Sequence, residues 1–347
     1  MKTHLLILVA LLTGTSTLAG APPQQKKQQP AATPRPAPCQ EQAPDRTQWP
    51  NGTLLWGMTR QTADDETSSV LASLNLERVR LASGAVKKVR LEKGRLAVPG
   101  QAPEKLVGAV LQGQSSDGKQ QEVAVCSAEP DATDPALVRY RIEVWQPESA
   151  TWKNPCIDTH RYPKPRAMAV KGVWDQSGAR RELPGKFTFA CETGAIAKCI
   201  DWGYKPWEVK EGRSLEELHQ ACTRMARADY CGNGRSHTRE DTPIDMYDGL
   251  KVLTRTTETS AAWQPERASF EASWTPEGAA CVARTRDGQA LEAIQAECPE
   301  RFEASTADLG EGDRCVVSRK GARAETALLR NRSYGRSEQA GTQKVAP

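Results

Sequence analysis

The sequence predicts an α+β fold, mainly antiparallel β with one prominent helix, of the disulfide-rich secreted class. Three observations predict it. Apolar and polar residues alternate over long stretches from residue 49 onward, one stretch near residue 220 has helical spacing, and ten cysteines follow an apolar N-terminal leader. Alternation is typical of strands with one buried face, and an even number of cysteines in an exported chain is typical of a disulfide framework.

Residues 1–21 have the pattern of a cleavable secretory signal peptide. Lys2 precedes the apolar run LLILVALL, and small residues follow as far as Ala21. This combination predicts export, and we expect cleavage after Ala19. The apolar run is too short to span a membrane, and no cysteine stands near the cut to carry a lipid. We therefore expect a secreted or periplasmic protein without a lipobox cysteine.

Residues 22–48 are rich in Pro and Gln and contain almost no large apolar side chain. Such a segment cannot bury enough apolar surface to fold, so we expect a disordered tether. Cys39 lies inside it and either staples the tether to the first domain or stays a free thiol. The even number of cysteines favours the staple.

Two domains follow the tether. Residues 49–155 alternate apolar and polar side chains in LERVRL, VKKVRL, EVAVC and RYRIEVW, which predicts an antiparallel β module. Residues 156–327 hold most of the cysteines and mix further strands with a main helix and a short one at Leu291 to Cys298. Small and charged residues dominate from residue 328, which predicts a disordered tail over 328–347.

The main helix is predicted to begin at Leu215, because Ser214 and Glu217 have the spacing of a capping box. Residues at spacings of three and four form its predicted buried stripe: Leu215, Leu218, Cys222, Met225 and Asp229. Gly232 and Gly234 can adopt the positive φ that ends a helix, so we expect the last turn near Tyr230 or Cys231.

The ten cysteines predict five disulfides, since they occur in an exported chain. They are Cys39, Cys126, Cys156, Cys191, Cys199, Cys222, Cys231, Cys281, Cys298 and Cys315. On an unbroken helix Cys222 and Cys231 would lie about 13 Å apart, beyond the roughly 7 Å that a disulfide tolerates. We therefore expect them to pair with the segment that holds Cys191 and Cys199. We also expect Cys281 to pair with Cys298 or Cys315, with the remaining cysteine reaching another segment.

Four short motifs resemble the ADYC domain family: KCIDWGYKPW from Lys198, HQACTRM from His219, ADYCGNG from Ala228, and the pair His237-Thr238. The resemblance covers Phe187 to Asp248 most specifically. It implies a secreted or lipid-anchored protein like those of myxobacteria and their relatives, with no established activity. Family members carry Asp-Gly-Thr after the His-Thr pair, whereas this chain has Glu240-Asp241-Thr242.

Asp229, His219 and His237 are the candidate catalytic residues. A carboxylate near the C-terminal end of a helix faces the negative end of the helix dipole and needs a partner. Asp229 either accepts hydrogen bonds from the 232–236 loop or pairs with a cation, which would lock the turn, or it forms an acid/base pair with one of the histidines.

His219, Cys222, Cys231 and His237 could bind zinc only with reduced thiols, which an oxidising compartment disfavours. We therefore expect no metal and no other cofactor.

Trp202, Tyr204 and Trp207 are the candidate binding residues. They could form a platform on which a sugar or peptide stacks, or the aromatic core of a small cross-linked domain.

The charges are nearly balanced, with 47 Lys and Arg against 43 Asp and Glu, and the two signs are interspersed. This excludes the basic patch typical of nucleic-acid binding, and no apolar run has the length of a membrane span. The motifs of serine hydrolases, zinc proteases and nucleotide-binding loops are absent from the sequence.

The sequence thus favours an exported non-catalytic protein that binds or supports an envelope or extracellular polymer or protein. The alternative is a hydrolase or metal-assisted enzyme that uses His219, Asp229 and His237.

Overall fold

The computed structural model describes residues 35–40, 53–58, 69–101, 103–159, 161–239, 242–323 and 327–334. The described residues from Pro36 onward belong to one unit by their contacts. The predicted signal peptide and most of the predicted tether lie outside the described residues. No helix within the described part of the chain has the length and apolar character needed to cross a membrane.

Within the part of the chain that the structure describes, thirteen strands precede the first α-helix. They are β1 (Leu71–Asn75), β2 (Val79–Arg80), β3 (Val86–Lys87), β4 (Arg90–Glu92), β5 (Arg95–Ala97), β6 (Val110–Ser115), β7 (Gln120–Pro130), β8 (Val138–Gln146), β9 (Thr151–Lys153), β10 (Ala167–Lys171), β11 (Val173–Trp174), β12 (Arg180–Arg181) and β13 (Lys186–Cys191). A 3₁₀ turn covers Pro103–Leu106.

The remaining elements mix helices and strands. They are α1 (Ala195–Asp201), β14 (Val209–Lys210), β15 (Arg213–Ser214), α2 (Glu216–Arg227), β16 (Ile244–Asp248), β17 (Ala268–Thr275), β18 (Gly278–Val282), α3 (Leu291–Glu297), β19 (Phe302–Ala304), β20 (Val317–Arg319) and β21 (Leu329–Tyr334). A second 3₁₀ turn covers Pro265–Arg267.

Six strands close into an antiparallel barrel in the order β1, β13, β10, β8, β7, β6 and back to β1. Fully buried side chains such as Val123, Ile142 and Phe189 fill its core. Closure brings β1 against Gly113 of β6, where an added Cβ would lie 2.9 Å from the carbonyl oxygen of Ser73. Glycine therefore permits the seam.

Barrel strands β10 and β13 follow residue 156, so the predicted boundary between residues 155 and 156 falls within the barrel.

The second sheet has six antiparallel strands in the order β16, β21, β17, β18, β20 and β19. Helix α2 packs against it, with Met225, Trp274 and Leu329 in one buried cluster. The first residues of the predicted tail form the interior strand β21, where Leu329, Asn331 and Ser333 are buried between neighbouring strands. The sequence LRNRSY shows no alternation of apolar and polar residues, because the buried positions Asn331 and Ser333 are polar. Their burial is tolerated since both side chains have hydrogen-bond partners. Residues 335–347 of that tail lie outside the described part.

The predicted antiparallel β character is confirmed. The described residues contain three α-helices, all of them short, and the single prominent helix is not confirmed. Their lengths are 7, 12 and 7 residues for α1, α2 and α3. The predicted capping box does not form at α2, because Ser214 pairs with Val209 in the β14–β15 hairpin and Leu215 takes the N-cap position without a side-chain cap bond. The helix also ends earlier than predicted, since Ala228 already adopts a left-handed conformation.

Five disulfides link the described cysteines, and none of these cysteines is free. The pairs are Cys39–Cys126, Cys156–Cys191, Cys199–Cys222, Cys231–Cys298 and Cys281–Cys315. The staple at Cys39, the separation of Cys222 from Cys231, and one bridge between the two predicted segments are thereby confirmed.

The expected bridge from Cys191 to the α2 region is wrong. Cys191 lies beside residues 53–58. Its backbone N–H donates to the carbonyl oxygen of Trp56, and Met58 forms a β-bridge with Cys156. This short segment holds Cys156 beside Cys191. Cys231 lies beyond the helix end and reaches Cys298 at the end of α3 instead.

Candidate functional site

The sequence Ala228-Asp229-Tyr230-Cys231 forms the turn that ends α2, and we call these four residues the ADYC turn. Ala228 has φ of 51° and ψ of 42°, the left-handed conformation that stops a helix. Its N–H donates to the carbonyl oxygen of Met225, and the N–H of Asp229 donates to that of Arg224. The turn thus satisfies carbonyl groups that the helix end would otherwise leave unpaired.

Asp229 is 1% exposed, and its carboxylate accepts hydrogen bonds from three donors. The backbone N–H groups of Asn233 and Gly234 lie 3.1 and 3.0 Å from its carboxylate oxygens, and Nη1 of Arg224 lies 2.6 Å away. These contacts correspond to the structural alternative from the sequence, in which loop N–H groups and a cation lock the turn. Because the charge is paired and hydrogen-bonded, its burial is tolerated.

Tyr230 is fully buried and connects the turn to the second sheet. Its hydroxyl donates to Oε1 of Glu271 at 3.1 Å and accepts from the N–H of Arg286 at 2.7 Å. Its ring stacks on Trp274 at 5.3 Å between centroids. Burial, together with the neighbouring charge of Glu271, raises the pKa of Tyr230 well above its ordinary value. The tyrosine is therefore a neutral hydrogen-bonding group.

Arg286 connects the same network to the end of α2. It is fully buried, and its Nε lies 3.0 Å from Oε2 of Glu271. Its Nη2 donates to the carbonyl oxygen of Met225 at 2.8 Å. A cation at the C-terminal end of a helix is favoured by the helix dipole. Sequence reasoning missed Arg286 and Glu271, because no local pattern marks residues that meet only after folding. It also did not single out Arg224, although this residue lies only five positions before Asp229.

Gly232 lets the loop after the turn lie against the β17–β18 hairpin. It has φ of 69°, and an added Cβ would lie 1.7 Å from the carbonyl oxygen of Glu277. No other residue type fits there without moving one of the two backbones. The glycine that the sequence marked as a helix stop is thus also a packing contact.

His237 lies between two carboxylates. Its Nε2 is 3.0 Å from Oε2 of Glu297, and its Nδ1 is 3.8 Å from Oδ2 of Asp287. Burial alone would lower its pKa, but Asp287 and Glu297 outweigh burial and raise the pKa to about 9. The backbone N–H of His237 donates to the carbonyl oxygen of Arg227. The imidazolium therefore ties the loop to α3 and to the segment after β18.

His219 lies in a different environment. It is fully buried, its Nε2 is 3.0 Å from the carbonyl oxygen of Ile196 in α1, and Trp174 packs edge-on at 6.0 Å. Burial lowers its pKa to about 4. The ring is neutral and links α2 to α1.

His219, Asp229 and His237 each have their own partners, and no hydrogen bond or ion pair within the described residues joins two of them. Cys222 and Cys231 are in disulfides, so their sulfur atoms do not offer the thiolate that zinc requires. A joint catalytic role for the three residues stays a prediction. The contacts above account for each of them without it.

Trp202, Tyr204 and Trp207 pack against different parts of the molecule. Tyr204 is fully buried, and its hydroxyl donates to Asp248 at 3.2 Å. Trp202 is partly buried against the core of the second sheet, and Trp207 is partly buried against the barrel core beside Gly94. Binding by these residues stays a prediction, in which Trp202 and Trp207 would offer separate surfaces.

An open cavity of ≈ 740 Å³ lies at the start of α2. Smaller residues line part of it. The larger side chains that line it are three leucines and three charged residues: Leu218, Leu250, Leu328, Arg213, Glu216 and Glu217. Its volume is in the range of small-molecule sites. Sequence reasoning missed it, because its walls come from three segments that are far apart in the chain.

The comparisons with known proteins agree with the motif resemblance. The family model described as ADYC domain matches residues 103–288, which is more than half of the chain and includes the 187–248 window indicated by the motifs. No curated protein and no solved structure matches the chain.

Proposed function

The chain belongs to the ADYC domain family, and on this basis we propose that it is an exported, non-catalytic protein. Its disulfide-fixed fold serves a binding or structural role at the cell envelope or outside the cell. Its partner is an envelope or extracellular polymer or protein.

The observation that supports this proposal best is the set of partners around the ADYC turn. Asp229 and Tyr230 each have hydrogen-bond partners within the fold, and Cys231 is bridged to Cys298. The residues of the ADYC turn therefore hold α2 on the second sheet. A turn whose polar groups all have partners inside the fold suits a scaffold whose binding surface lies elsewhere.

Five disulfides support the proposed compartment, because disulfides persist in oxidising environments outside the cytoplasm. In the proposal, cleavage after Ala19 releases the chain into the periplasm or the medium.

Cell fractionation and binding assays test the proposal together. The chain, expressed with its native N-terminus, should be recovered outside the cytoplasm, cut after Ala19 and with no titratable thiol. The purified chain should then co-sediment with isolated cell-envelope polymer. Trp202→Ala and Trp207→Ala, tested singly, show whether either tryptophan contributes to that binding.

A panel of hydrolase substrates tests the catalytic alternative. We expect no turnover with the disulfide-intact chain. Turnover that His237→Gln abolishes, in a variant with an unchanged circular dichroism spectrum, would overturn the non-catalytic proposal.

A further inference from the structure

Residues 36–39 lie on the outer face of the barrel, and we call them the strap. The Cys39–Cys126 disulfide attaches the strap to β7. Three further contacts hold its main chain: Nε1 of Trp152 donates to the carbonyl oxygen of Pro36 at 3.0 Å, the N–H of Cys39 donates to Oε2 of Glu143 at 2.7 Å, and Nη2 of Arg141 donates to the carbonyl oxygen of Cys39 at 3.4 Å. The strap is thus bound by groups that recognise backbone as well as by a covalent bond.

The barrel wall beneath the strap is apolar and aromatic. Trp145 and Trp152 are directly opposite each other on β8 and β9, with their rings edge to face at 5.4 Å. Val110 and Ala124, paired across β6 and β7, complete a small buried cluster with Trp152 and the Cys39–Cys126 sulfurs. Ala124 is fully buried although it lies on the outer side of the barrel.

Glu143 places a buried carboxylate on this wall. It is 1% exposed, and Nη1 of Arg141 lies 3.0 Å from its Oε1. The other carboxylate oxygen accepts the Cys39 N–H. A buried carboxylate is costly unless each of its oxygens has a donor, so the wall suits an occupant that presents a backbone N–H at this point.

The strap sequence fits the wall for a chemical reason. Pro36 and Pro38 have no N–H group, so a segment that contains them places fewer donors against an apolar wall. The chain bends at Pro38, and Cys39 has φ of 70°. Proline also restricts the free segment to extended conformations, which reduces the entropy lost on binding. Aromatic grooves that take proline-containing segments use the same two properties.

We propose that Val110, Ala124, Glu143, Trp145 and Trp152 form a peptide-binding groove for a proline-containing segment, and that its occupant is the strap of the same chain. The groove binds the strap non-covalently, and the Cys39–Cys126 disulfide then fixes it. The proposal does not rest on the function proposed above, because it concerns different residues and a contact within the chain.

Disulfide capture of a peptide tests the groove directly. The host is the full mature chain with Cys39→Ser, Pro36→Gly and Pro38→Gly, which weakens its own strap and leaves the Cys126 thiol free. The probe is the peptide PRPAPC as its mixed disulfide with glutathione, and the matched probe is GRGAGC. Intact-mass spectrometry in a glutathione buffer gives the equilibrium constant for each capture.

We expect the proline peptide to be captured at least about fivefold more strongly than the glycine peptide, because the prolines leave the free peptide fewer conformations to lose on binding. Trp152→Phe in the host should lower the capture of both peptides about fivefold, because it removes a hydrogen bond to a backbone carbonyl that both peptides carry. Equal capture of the two peptides, or capture that Trp152→Phe leaves unchanged, overturns the proposal.

A second measurement uses the chain with all ten cysteines and so avoids a weakened host. Titration with reduced and oxidised glutathione gives the effective concentration with which Cys39 closes on Cys126. Trp152→Phe should lower it about fivefold, whereas Trp207→Phe should leave it unchanged. An unchanged value in Trp152→Phe refutes the groove, and disulfide-linked dimers on a non-reducing gel would assign the strap to a second copy instead.

Discussion

At the scale of single residues, the fold depends on a buried polar network whose members are paired with one another. Tyr230, Glu271 and Arg286 form this network, and each side chain is at most 2% exposed. Removing one member leaves each of the others short of one partner in a region that water does not reach. Such losses cost more than the hydrogen bond itself contributes.

Tyr230→Phe therefore should destabilise the protein by about 1–3 kcal/mol, because it leaves Glu271 and the N–H of Arg286 each without one partner. Urea unfolding followed by fluorescence measures the change. Tyr162→Phe is the matched control, since Tyr162 is partly exposed and its hydroxyl makes no hydrogen bond within the described residues. A loss in Tyr230→Phe no larger than in Tyr162→Phe contradicts the network.

The two described histidines predict opposite pH effects. His219 has a folded pKa of about 4, below its ordinary value of 6.5, so the unfolded chain binds its proton first as pH falls. Its contribution is complete above pH 6.5 and is lost between pH 6.5 and 4, at about 1.4 kcal/mol per pH unit. His219→Gln should remove this part of the acid slope in stability. An identical slope in variant and wild type would contradict the neutral buried ring.

His237 behaves in the opposite way, because its folded pKa of about 9 lies above its ordinary value. Its ion pairs with Glu297 and Asp287 contribute fully below pH 6.5 and are lost as pH rises through 9. We expect stability to decline over that alkaline range and the decline to be smaller in His237→Gln. Thermal unfolding midpoints at pH 6, 7.5 and 9 measure it, and a flat wild-type profile would argue against the pairing.

At the scale of elements, the end of α2 is set by Ala228, a residue other than glycine with positive φ. An L-residue in this conformation costs roughly 1–2 kcal/mol, whereas glycine adopts it freely. Ala226 lies two residues earlier, is similarly buried and has ordinary helical geometry. The two alanines therefore provide a matched pair.

Ala226→Gly and Ala228→Gly remove the same methyl group but should differ in effect. Ala226→Gly should destabilise by about 1 kcal/mol or more through helix propensity and lost burial. Ala228→Gly should be less destabilising than Ala226→Gly by about 1–2 kcal/mol, since relief of the left-handed strain offsets the lost burial. Chemical denaturation of both variants checks this, and equal losses would rule out the helix-stop role of Ala228.

Sequence patterns predicted elements better than their ends. Alternation predicted the strands, and the place of Asp229 near the end of a helix indicated that it needs a partner, with the loop N–H groups among the alternatives. The predicted capping box at Ser214 did not form, because this residue pairs with Val209 in the β14–β15 hairpin, although its Oγ still accepts the N–H of Glu216 at 3.2 Å. The partners of Asp229 and Tyr230 that lie outside the loop, Arg224 excepted, are 40 or more residues away, beyond the reach of periodicity.

At the scale of the whole molecule, each of the two buried cores has its own disulfides, and no bridge among the described cysteines joins one core to the other. Cys156–Cys191 supports the barrel, whereas Cys231–Cys298 and Cys281–Cys315 belong to the second sheet and its helices. The number of bridges followed from the even number of cysteines. Their pairing did not, because it depends on where residues 53–58 and α3 are placed by the rest of the fold.

Replacing both cysteines of one bridge by serine should reveal two classes of disulfide. Loss of Cys231–Cys298, which joins the ADYC turn to α3, should cost about 2–5 kcal/mol. Loss of Cys39–Cys126 should cost less, although its sequence separation is 87 residues against 67. The reason is that the strap then gains freedom in the folded state as well. A larger loss for the longer bridge would show that the strap supports the barrel itself.

The strap also determines where mechanical load enters the molecule. A pull on the chain upstream of Cys39 passes through the disulfide into Cys126, in the middle of β7. Reduction of this single bond, with release of the strap, would move the point of attachment to residues 53–58, which are hydrogen-bonded to Cys191 and Ala195. The segment that carries the load would then be longer by the residues between Cys39 and Thr53, so the state of two sulfur atoms would set the reach of the N-terminal segment.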